Sequence, residues 1–363
     1  MNWKDLDRTD SIRVVMVSPT DLTVEWGELE GIVLTGCSID TAYYSDTREN
    51  AKLEVHGEGW KRGSFIRVYH DIPEWGYSAP LGTYIVTDQK AHLEKGEWTH
   101  SLTLQSILKG LSTEMLPRPW VIARNASVKK AIDQNLKTAS RPWVDLSAND
   151  AKLKSPAVLE TGTSRLSALF AMCNATGNRL DVDPMGRVTV APYVPPASRA
   201  SVFEFDLSDP EGIMQDSLDL ESDWLEMPDE VIVAHKYSVT QSGKTVQKEI
   251  DALAQVPSDS HQSKAVRGFT VSDFRDLSEM SPKTAKRAQD LAQSYLKRDM
   301  VEMVEWTMRC HYLPLRGGSV VDLIIPSGDY RGRRKCLVKN TTLNLEGMSM
   351  QLTLKETASG DDE

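Results

Sequence analysis

Hydrophobic and polar residues alternate in short segments along the first hundred residues. Such alternation predicts β-strands with one buried face and one face in water. Clusters of glycine, proline, serine and aspartate separate the segments, and these predict turns. The pattern therefore predicts an antiparallel β-barrel or sandwich over residues 1–110. The predicted strands cover residues 12–17, 22–26, 51–56, 64–70, 81–87 and 98–104.

Two hairpins are predicted within this β block. The first joins the strands at 51–56 and 64–70 through the glycine-rich residues 57–63. The second joins the last two strands of the block around a polar tip at residues 94–97. Two alternating segments joined by a glycine-containing loop favour a hairpin. The glycine-rich segment loosely matches a dinucleotide-binding loop, but that mechanism needs a following helix, and a strand follows here.

The periodicity changes to that of helices between residues 111 and 196. Ser127 and Ser164 each precede a segment with apolar residues at helical spacing, so both are predicted N-caps. Further along, Asp183-Pro184-Met185-Gly186 separates two alternating segments. Proline in the second place and glycine in the fourth are typical of a type I turn. This stretch is therefore predicted to be an α+β domain inserted between two β blocks.

The last block, residues 197–363, reads mainly as strands with one helix. Ser281 and Pro282 are suited to the N-cap and first position of that helix. Both β blocks end in Leu-Thr-Leu, at 102–104 and 352–354, which favours a duplicated fold. The predicted class is α+β and β-rich, with two antiparallel β domains around the inserted domain. The predicted strands of the last block cover residues 230–235, 244–248, 303–309, 319–325, 335–339 and 348–354.

Composition and charge limit the function classes. The chain has 363 residues, of which 40% are hydrophobic, and no apolar run approaches the roughly 20 residues of a membrane span. The first residues are partly acidic and lack the basic start of a signal peptide, so we expect synthesis in the cytoplasm. Lys and Arg number 42 and Asp and Glu number 52, so the net charge is 42 − 52 = −10. This balance argues against general binding of nucleic-acid phosphates.

Residue types that carry chemistry show no recognisable catalytic or metal-binding spacing. The four cysteines are scattered along the chain, without a C-x-x-C pair, and are interpreted as free, mostly buried thiols. The seven histidines form no H-E-x-x-H or H-x-H pattern. No Walker loop or G-x-S-x-G motif occurs. The sequence therefore predicts no catalytic residue, no cofactor and no metal.

One acidic segment stands out. Residues 204–230 contain eleven Asp and Glu residues and no Lys or Arg. A solvated acidic face is the simplest interpretation, and a carboxylate pair for glycoside hydrolysis is an alternative that the sequence cannot place. The candidate residues of an acidic channel or interface face are Asp216, Asp219, Glu221, Asp223 and Glu226.

A calcium loop is a second alternative for part of this segment. Asp219, Glu221 and Asp223 alternate as the first ligands of an EF-hand loop do, and Glu230 falls at the twelfth position. Trp224, however, occupies the place where such a loop needs glycine for its sharp turn. The motif is therefore incomplete.

Taken in order, several segments resemble the hub proteins of phage tails. The β-rich opening resembles their first domain, the middle block their inserted α+β domain, and the closing block their second tube-type domain. The segments that carry the resemblance are 44–48, 51–55, 63–68 and 80–86, then 167–177 and 179–190, then 284–288, 313–322 and 347–354.

The resemblance implies a homotrimer in which each chain contributes two tube-like β domains, so that three chains match a sixfold tail tube. It implies a non-enzymatic symmetry adaptor at the virion tail tip, assembled in the host cytoplasm. The implied partners are a distal tail or tail-tube ring, a tail spike, fibre or tip protein, and a tape measure protein. DNA would pass through a central channel without specific binding, past an acidic wall that repels phosphate.

Two other classes of function stay open at this point. The acidic segment together with tryptophans would also suit a carbohydrate-active or metal-dependent enzyme. A β-rich glycan-binding module of a secreted or virion protein is the third possibility.

Overall fold

The structure of the protein is a computed structural model. The chain forms two compact units: Met1–Leu218 with Thr307–Leu354, and Asp219–Trp306 with Lys355–Glu363. The predicted boundaries near residues 110 and 196 stay a proposal about the three sequence blocks. The structure describes residues 3, 8–57, 63–138, 144–146, 152, 156–209, 214–222, 228–241, 244–260, 263–276, 284–299, 304–328 and 330–357.

Seven strands form in the described residues of the first block. Their alternating sequences become alternating burial, most clearly in the fourth strand, where every second side chain is buried. The strands are β1 (Ser11–Val17), β2 (Glu25–Glu28), β3 (Ile32–Ala42), β4 (Glu49–His56), β5 (Phe65–Ile72), β6 (Tyr77–Glu94) and β7 (Glu97–Ser106), with a short 3-10 helix at Pro73–Trp75.

One predicted hairpin is confirmed and the other is wrong. The β6–β7 hairpin forms with Glu94 paired to Glu97 at its tip, and β6 is longer than predicted. The strands at 51–56 and 64–70, now β4 and β5, do not pair with each other. Instead β4 lies between β3 and β7, and β5 lies between β1 and β6. A longer connection than a hairpin turn is thus needed, and the middle of that connection, residues 58–62, lies outside the described residues.

The middle block is α+β, and the described residues bear out both predicted caps. Lys130 N–H donates to the Ser127 hydroxyl at 3.1 Å, and Ser167 N–H donates to the Ser164 hydroxyl at 3.1 Å. These bonds satisfy amide groups that a helix start leaves without partners. The elements are α1 (Leu108–Thr113), β8 (Trp120–Ile122), α2 (Val128–Thr138), β9 (Val144–Leu146), β10 (Ala157–Leu159), α3 (Arg165–Ala175), β11 (Asn178–Val182) and β12 (Val188–Pro192).

The turn between β11 and β12 packs this block onto the first one. Gly186 N–H donates to the Asp183 carbonyl at 2.8 Å, as the predicted turn requires. Gly186 has φ +82°, and a Cβ there would lie 2.9 Å from the Cβ of Thr83 on β6. Glycine therefore allows both the left-handed backbone and the close approach. Apolar residues of β1 and of the middle block share one buried core.

The last block supplies nine more strands and two helices in the described residues. The predicted helix is present, while its proposed cap at Ser281 and Pro282 lies outside the described residues. A second 3-10 helix at Pro196–Ser198 opens the block. The elements are β13 (Phe203–Asp206), β14 (Met214–Ser222), β15 (Glu230–Gln241), β16 (Lys244–Gln255), α4 (Lys264–Arg267), β17 (Ser272–Asp276), α5 (Ala285–Asp299), β18 (Val304–His311), β19 (Val320–Ile325), β20 (Gly332–Asn344) and β21 (Ser349–Glu356).

Strands of the first and last blocks join in one 13-stranded sheet. Its order is β14-β18-β21-β20-β3-β4-β7-β6-β5-β1-β2, and β19 pairs with both β20 and β13. The two blocks meet where β20 pairs antiparallel with β3, with Thr341 opposite Thr41. These two buried hydroxyls hydrogen-bond at 2.8 Å. The predicted β-rich α+β class is confirmed.

The second unit contains a three-stranded sheet covered on one face by a helix. The order is β16-β15-β17, with β15 and β16 antiparallel and β17 parallel to β15. Small alanines on α5, Ala288 and Ala292, pack with Val231 and Val233 of β15 in its buried core. Among the described residues no helix is long and apolar enough to cross a membrane.

Candidate functional site

The predicted acidic face falls partly on β14, which stands at one end of the large sheet. Asp219 and Glu221 lie two residues apart on this strand, and both are exposed. Because side chains alternate along a strand, the two carboxylates share one face and Leu220 lies on the other. Leu220 is 39% exposed, so β14 presents acidic and apolar groups to solvent.

The other predicted acidic residues are placed only in part. Asp216 lies on β14, but its side chain is outside what the structure describes, and Asp223 and Glu226 are outside the described residues altogether. The calcium hypothesis needs Asp223 and so stays a prediction. Within the described ranges, no three His, Cys, Asp or Glu side chains come together as a metal site. All four cysteines are buried, as predicted.

A pocket of about 280 Å³ lies in the first unit, and we call it the Tyr43 pocket. It combines four arginines with two carboxylates and one tyrosine, brought together from segments far apart in the sequence. Its lining residues are Thr41, Ala42, Tyr43, Arg48, Glu49, Arg179, Asp181, Val182, Arg199, Arg316, Gly317, Gly318 and Ser319.

The Tyr43 ring organises this pocket. The guanidinium carbon of Arg179 lies 3.6 Å from the ring centroid, and Arg199 Nη2 donates to the Tyr43 hydroxyl at 3.0 Å. Arg48 donates from Nη1 to the Tyr43 carbonyl and from Nη2 to the Leu180 carbonyl at 3.1 Å. A Cβ at Gly318, whose φ is +99°, would lie 2.7 Å from the same ring. Glycine is thus required where the chain passes over Tyr43.

Positive charge is in excess among the side chains of the Tyr43 pocket. Glu49, only 4% exposed, forms an ion pair with Arg316, and Asp181 accepts from Arg179 Nε at 3.0 Å. Burial, and secondly the neighbouring Arg179, lower the pKa of Arg48. Burial also lowers the pKa of Arg316, to about 10. Both shifts reflect the cost of holding cations away from water.

A second, mostly apolar cavity of about 130 Å³ adjoins the first, and we call it the Pro314 pocket. Arg316 and Thr41 line both cavities, so they stand between a cationic space and an apolar one. The Pro314 pocket is lined by Ile39, Thr41, Tyr77, Pro80, Leu81, Pro184, Tyr312, Pro314, Leu315, Arg316, Thr341, Leu343 and Met350.

Arg67 forms a different kind of cationic site on β5. Its side chain is 1% exposed. Nε donates to the Thr83 hydroxyl at 2.8 Å, and Nη2 donates to the carbonyls of Leu22 at 2.8 Å and Met185 at 3.1 Å. Nη1 lies 3.4 Å from a Glu25 carboxylate oxygen. Arg67 therefore ties the first β block to the β11–β12 turn.

His70 is a buried titratable group beside Tyr77 and Tyr312, which line the Pro314 pocket. It is fully buried, and its Nε2 lies 2.6 Å from Asp10 Oδ1. Aromatic rings surround it, with the Tyr312 ring centroid 4.5 Å away and the Tyr77 centroid 5.7 Å away. Burial lowers the pKa of His70, although the Asp10 hydrogen bond acts in the opposite direction. The Asp10 carboxylate accepts the hydrogen bond from His70 Nε2.

Sequence reasoning missed both pockets and the burial of Arg67. The arginines of the Tyr43 pocket come from four separate parts of the chain, and no local spacing marks them as neighbours. Gly317-Gly318 was the one local signal, since two glycines before a strand indicate a close backbone approach.

Known proteins of similar structure identify the fold of this chain. No protein-family model matches the sequence, and no curated protein matches it significantly. A tail protein from Neisseria meningitidis MC58 matches at TM-score 0.65 with 16% identity, covering 95% of this chain and 97% of that one. A 43 kDa tail protein of prophage MuSo2 from Shewanella oneidensis matches at TM-score 0.64 with 13% identity, covering 94% and 97%.

This chain has the fold of a phage tail protein. The tail-protein fold spans nearly its whole length, so both units belong to the match. The Francisella PdpA–VgrG complex in its half-lidded form contains a chain of similar fold, at TM-score 0.54 and 11% identity. That match covers 97% of this chain and 58% of the other. The fold is therefore shared by tail proteins and by a VgrG-containing complex.

Proposed function

We propose that this chain is the structural hub of a phage tail or of a related injection machine. The observation that carries the proposal is the match to tail proteins over 95% of this chain and 97% of the neighbour. In this role three copies form a ring that adapts the sixfold tail tube or distal ring to a threefold tip, spike or fibre. The proposal assigns no catalytic residue and no cofactor.

The sheet supports this interpretation of symmetry. Strands from the first and last blocks contribute two groups to one sheet and meet at the β20–β3 pair. Two tube-like halves per chain and three chains per ring give six halves, which suits a sixfold partner. The predicted partners are the tube or distal ring, the tip protein and a tape measure protein, at the tail tip of a virion assembled in the host cytoplasm.

The charge supports passage of DNA rather than its capture. The net charge is −10, from 42 Lys and Arg against 52 Asp and Glu. Like charges across a channel repel the phosphate backbone within about 8–10 Å at physiological salt. We therefore propose an acidic channel wall.

Electron microscopy of the purified full chain tests the proposal. The expected result is a threefold ring with a central pore and a mass three times that of one chain. A chain that stays monomeric at micromolar concentration, alone and when mixed with the proposed tail-tube partner, would contradict the hub.

A further inference from the structure

The two adjoining cavities define the chemistry of a single ligand. The Tyr43 pocket is cationic and the Pro314 pocket is mostly apolar, and Arg316 and Thr41 face both. Their volumes, about 280 and 130 Å³, together reach the lower end of ordinary binding pockets. A matching ligand carries a carboxylate and an apolar side chain close together.

The Tyr43 pocket has more positive charge than its own acids balance. Four guanidinium groups face the two carboxylates of Glu49 and Asp181. Among the described residues, Arg48 Nε has no hydrogen-bond partner, and the nearest Asp181 oxygen is 3.9 Å away. The nearby Arg179 charge also opposes ionisation of Arg48. A further carboxylate in this space would supply an acceptor and offset the repulsion.

The rim of the Tyr43 pocket has the composition of a protein interface. Tyr44 is 59% exposed, and its ring meets the Tyr43 ring edge-on at 5.0 Å. Tyr193 and Val194 are 47% and 45% exposed, beside Arg199. Tyrosine and arginine are enriched at interface centres. The rim therefore favours a protein ligand over a small ion.

The chain itself carries a segment of the required chemistry. Asp219, Leu220 and Glu221 follow one another on β14, and all three are exposed. This strand stands at the end of the large sheet, with β18 as its neighbour. Alternation directs the two carboxylates to one side and the leucine to the other. The two carboxylates thus match the cationic Tyr43 pocket, and the leucine matches the apolar Pro314 pocket. Arg316 lines both cavities.

We propose that Asp219, Leu220 and Glu221 of one copy dock into the Tyr43 and Pro314 pockets of the next copy. The carboxylates enter the Tyr43 pocket and Leu220 enters the Pro314 pocket. This contact rests on the proposed trimeric hub and names the residues that close its ring. Each copy offers both a pocket and a β14 strand, as a heterologous ring interface requires.

Charge reversal on β14 tests the contact. The variant Asp219→Arg with Glu221→Arg changes two exposed side chains, so the protomer is expected to fold with an unchanged circular dichroism spectrum. The matched control is Glu249→Arg with Asp251→Arg, which reverses two exposed carboxylates at the same spacing on β16. Light scattering coupled to size-exclusion chromatography reports the oligomeric state. We expect monomers for the first variant and trimers for the wild type and the control.

The other outcomes separate the two proposals. A β14 variant that remains trimeric overturns the docking contact and leaves the hub intact. A wild type that is monomeric overturns both the trimeric hub and the contact. Loss of the trimer in the control as well as in the β14 variant also overturns the contact, because charge position would then be irrelevant.

Cysteine cross-linking identifies the neighbours directly. Glu221→Cys with Ser319→Cys places one thiol on β14 and one in the Tyr43 pocket, while the four native cysteines are buried. Oxidation is expected to give covalent trimers on a non-reducing gel. The control Asp251→Cys with Ser319→Cys is expected to give monomers. If the wild type is trimeric and the Glu221→Cys, Ser319→Cys variant yields no cross-link, the contact is refuted.

Discussion

Two arginine sites in the first unit differ in how completely their guanidinium groups are hydrogen-bonded. Arg67 is 1% exposed and finds the Thr83 hydroxyl, two carbonyls and a carboxylate around it. The Tyr43 pocket holds four arginines around a cavity of about 280 Å³ and leaves Arg48 Nε without a hydrogen bond among the described residues. We call the Arg67 site closed because its guanidinium is surrounded by hydrogen-bond acceptors. The Tyr43 pocket still has room for a further hydrogen-bond acceptor.

The difference separates a structural role from a binding role. A buried cation with a complete set of acceptors stabilises the contact between chain segments, and removing it leaves several acceptors unpaired. A cation beside a cavity has part of its hydrogen-bonding capacity left for a ligand. Substitutions at Arg67 should therefore affect stability most, and substitutions at the Tyr43 pocket should affect it less.

Replacement of Arg67 is expected to have the largest effect. Arg67→Ala removes the donors that serve the Leu22 and Met185 carbonyls, so the free energy of unfolding should fall by about 3–5 kcal/mol. Urea denaturation measures the change. The control Arg187→Ala removes an ion pair with Asp183 on the exposed side of the same turn and should cost less than about 1 kcal/mol. Equal losses in the two variants would contradict a closed site at Arg67.

Removal of one acceptor should have an intermediate effect. Thr83 accepts from Arg67 Nε and donates to the Pro184 carbonyl at 2.9 Å. Thr83→Val keeps the shape and leaves both groups unpaired, so we expect a loss of about 1–3 kcal/mol in the free energy of unfolding. The control Thr87→Val, at an exposed position of the same strand, removes a solvent-accessible hydrogen bond to the Thr103 carbonyl and should therefore cost less. A neutral Thr83→Val would show that Arg67 finds another acceptor.

Tyr43→Phe probes the open site. The change removes the acceptor for Arg199 Nη2 and keeps the ring beneath Arg179, so the expected loss is about 0.5–1.5 kcal/mol. Thermal or chemical unfolding measures the loss. If Tyr43→Phe lowered the free energy of unfolding by more than Thr83→Val does, the Tyr43 pocket would contribute more to stability than the Arg67 site, contrary to our expectation.

The smallest expected effect is the contribution of His70 to the pH dependence of the free energy of unfolding. Burial lowers the pKa of His70 below its ordinary value of 6.5, so the unfolded chain binds this proton at a higher pH than the folded one. His70 therefore favours folding above about pH 6.5, and this contribution falls as the pH drops toward the folded pKa. His70→Gln should flatten the slope of unfolding free energy between pH 7 and 5, while His92→Gln, at an exposed position, should leave it unchanged. A slope that persists in His70→Gln would assign it to carboxylates.

Local patterns sufficed for elements whose cause is local. Ser127 and Ser164 cap helices, and Gly186 closes a turn, because their partners lie three residues away. The pairing of β4 with β3 and β7 was not predictable in this way, since alternation shows that a strand has a buried face and not which strand lies beside it. The β4–β5 hairpin was wrong for that reason.

Of the candidate site, only the acidic residues on β14 could be predicted from the sequence. The run of carboxylates marks Asp219 and Glu221, because a surface strand with many like charges remains solvated. The Tyr43 pocket depends on tertiary contacts such as Arg199 with Tyr43, which are 156 residues apart. Arginine is ordinarily exposed, so a partly buried cluster of four gives no signal in the sequence.

The junction of β3 with β20 has a consequence for the order of folding. Thr41 meets Thr341 across 300 residues, so the edge of β3 at residues 38–42 stays without this partner until the ribosome has made residues 340–344. Contacts of such long range form late and slowly. During synthesis the first block thus presents an unpaired strand edge, which is a template for association with other nascent chains. Pairing with β20 closes that edge, and we expect premature termination before residue 332 to give an aggregation-prone product.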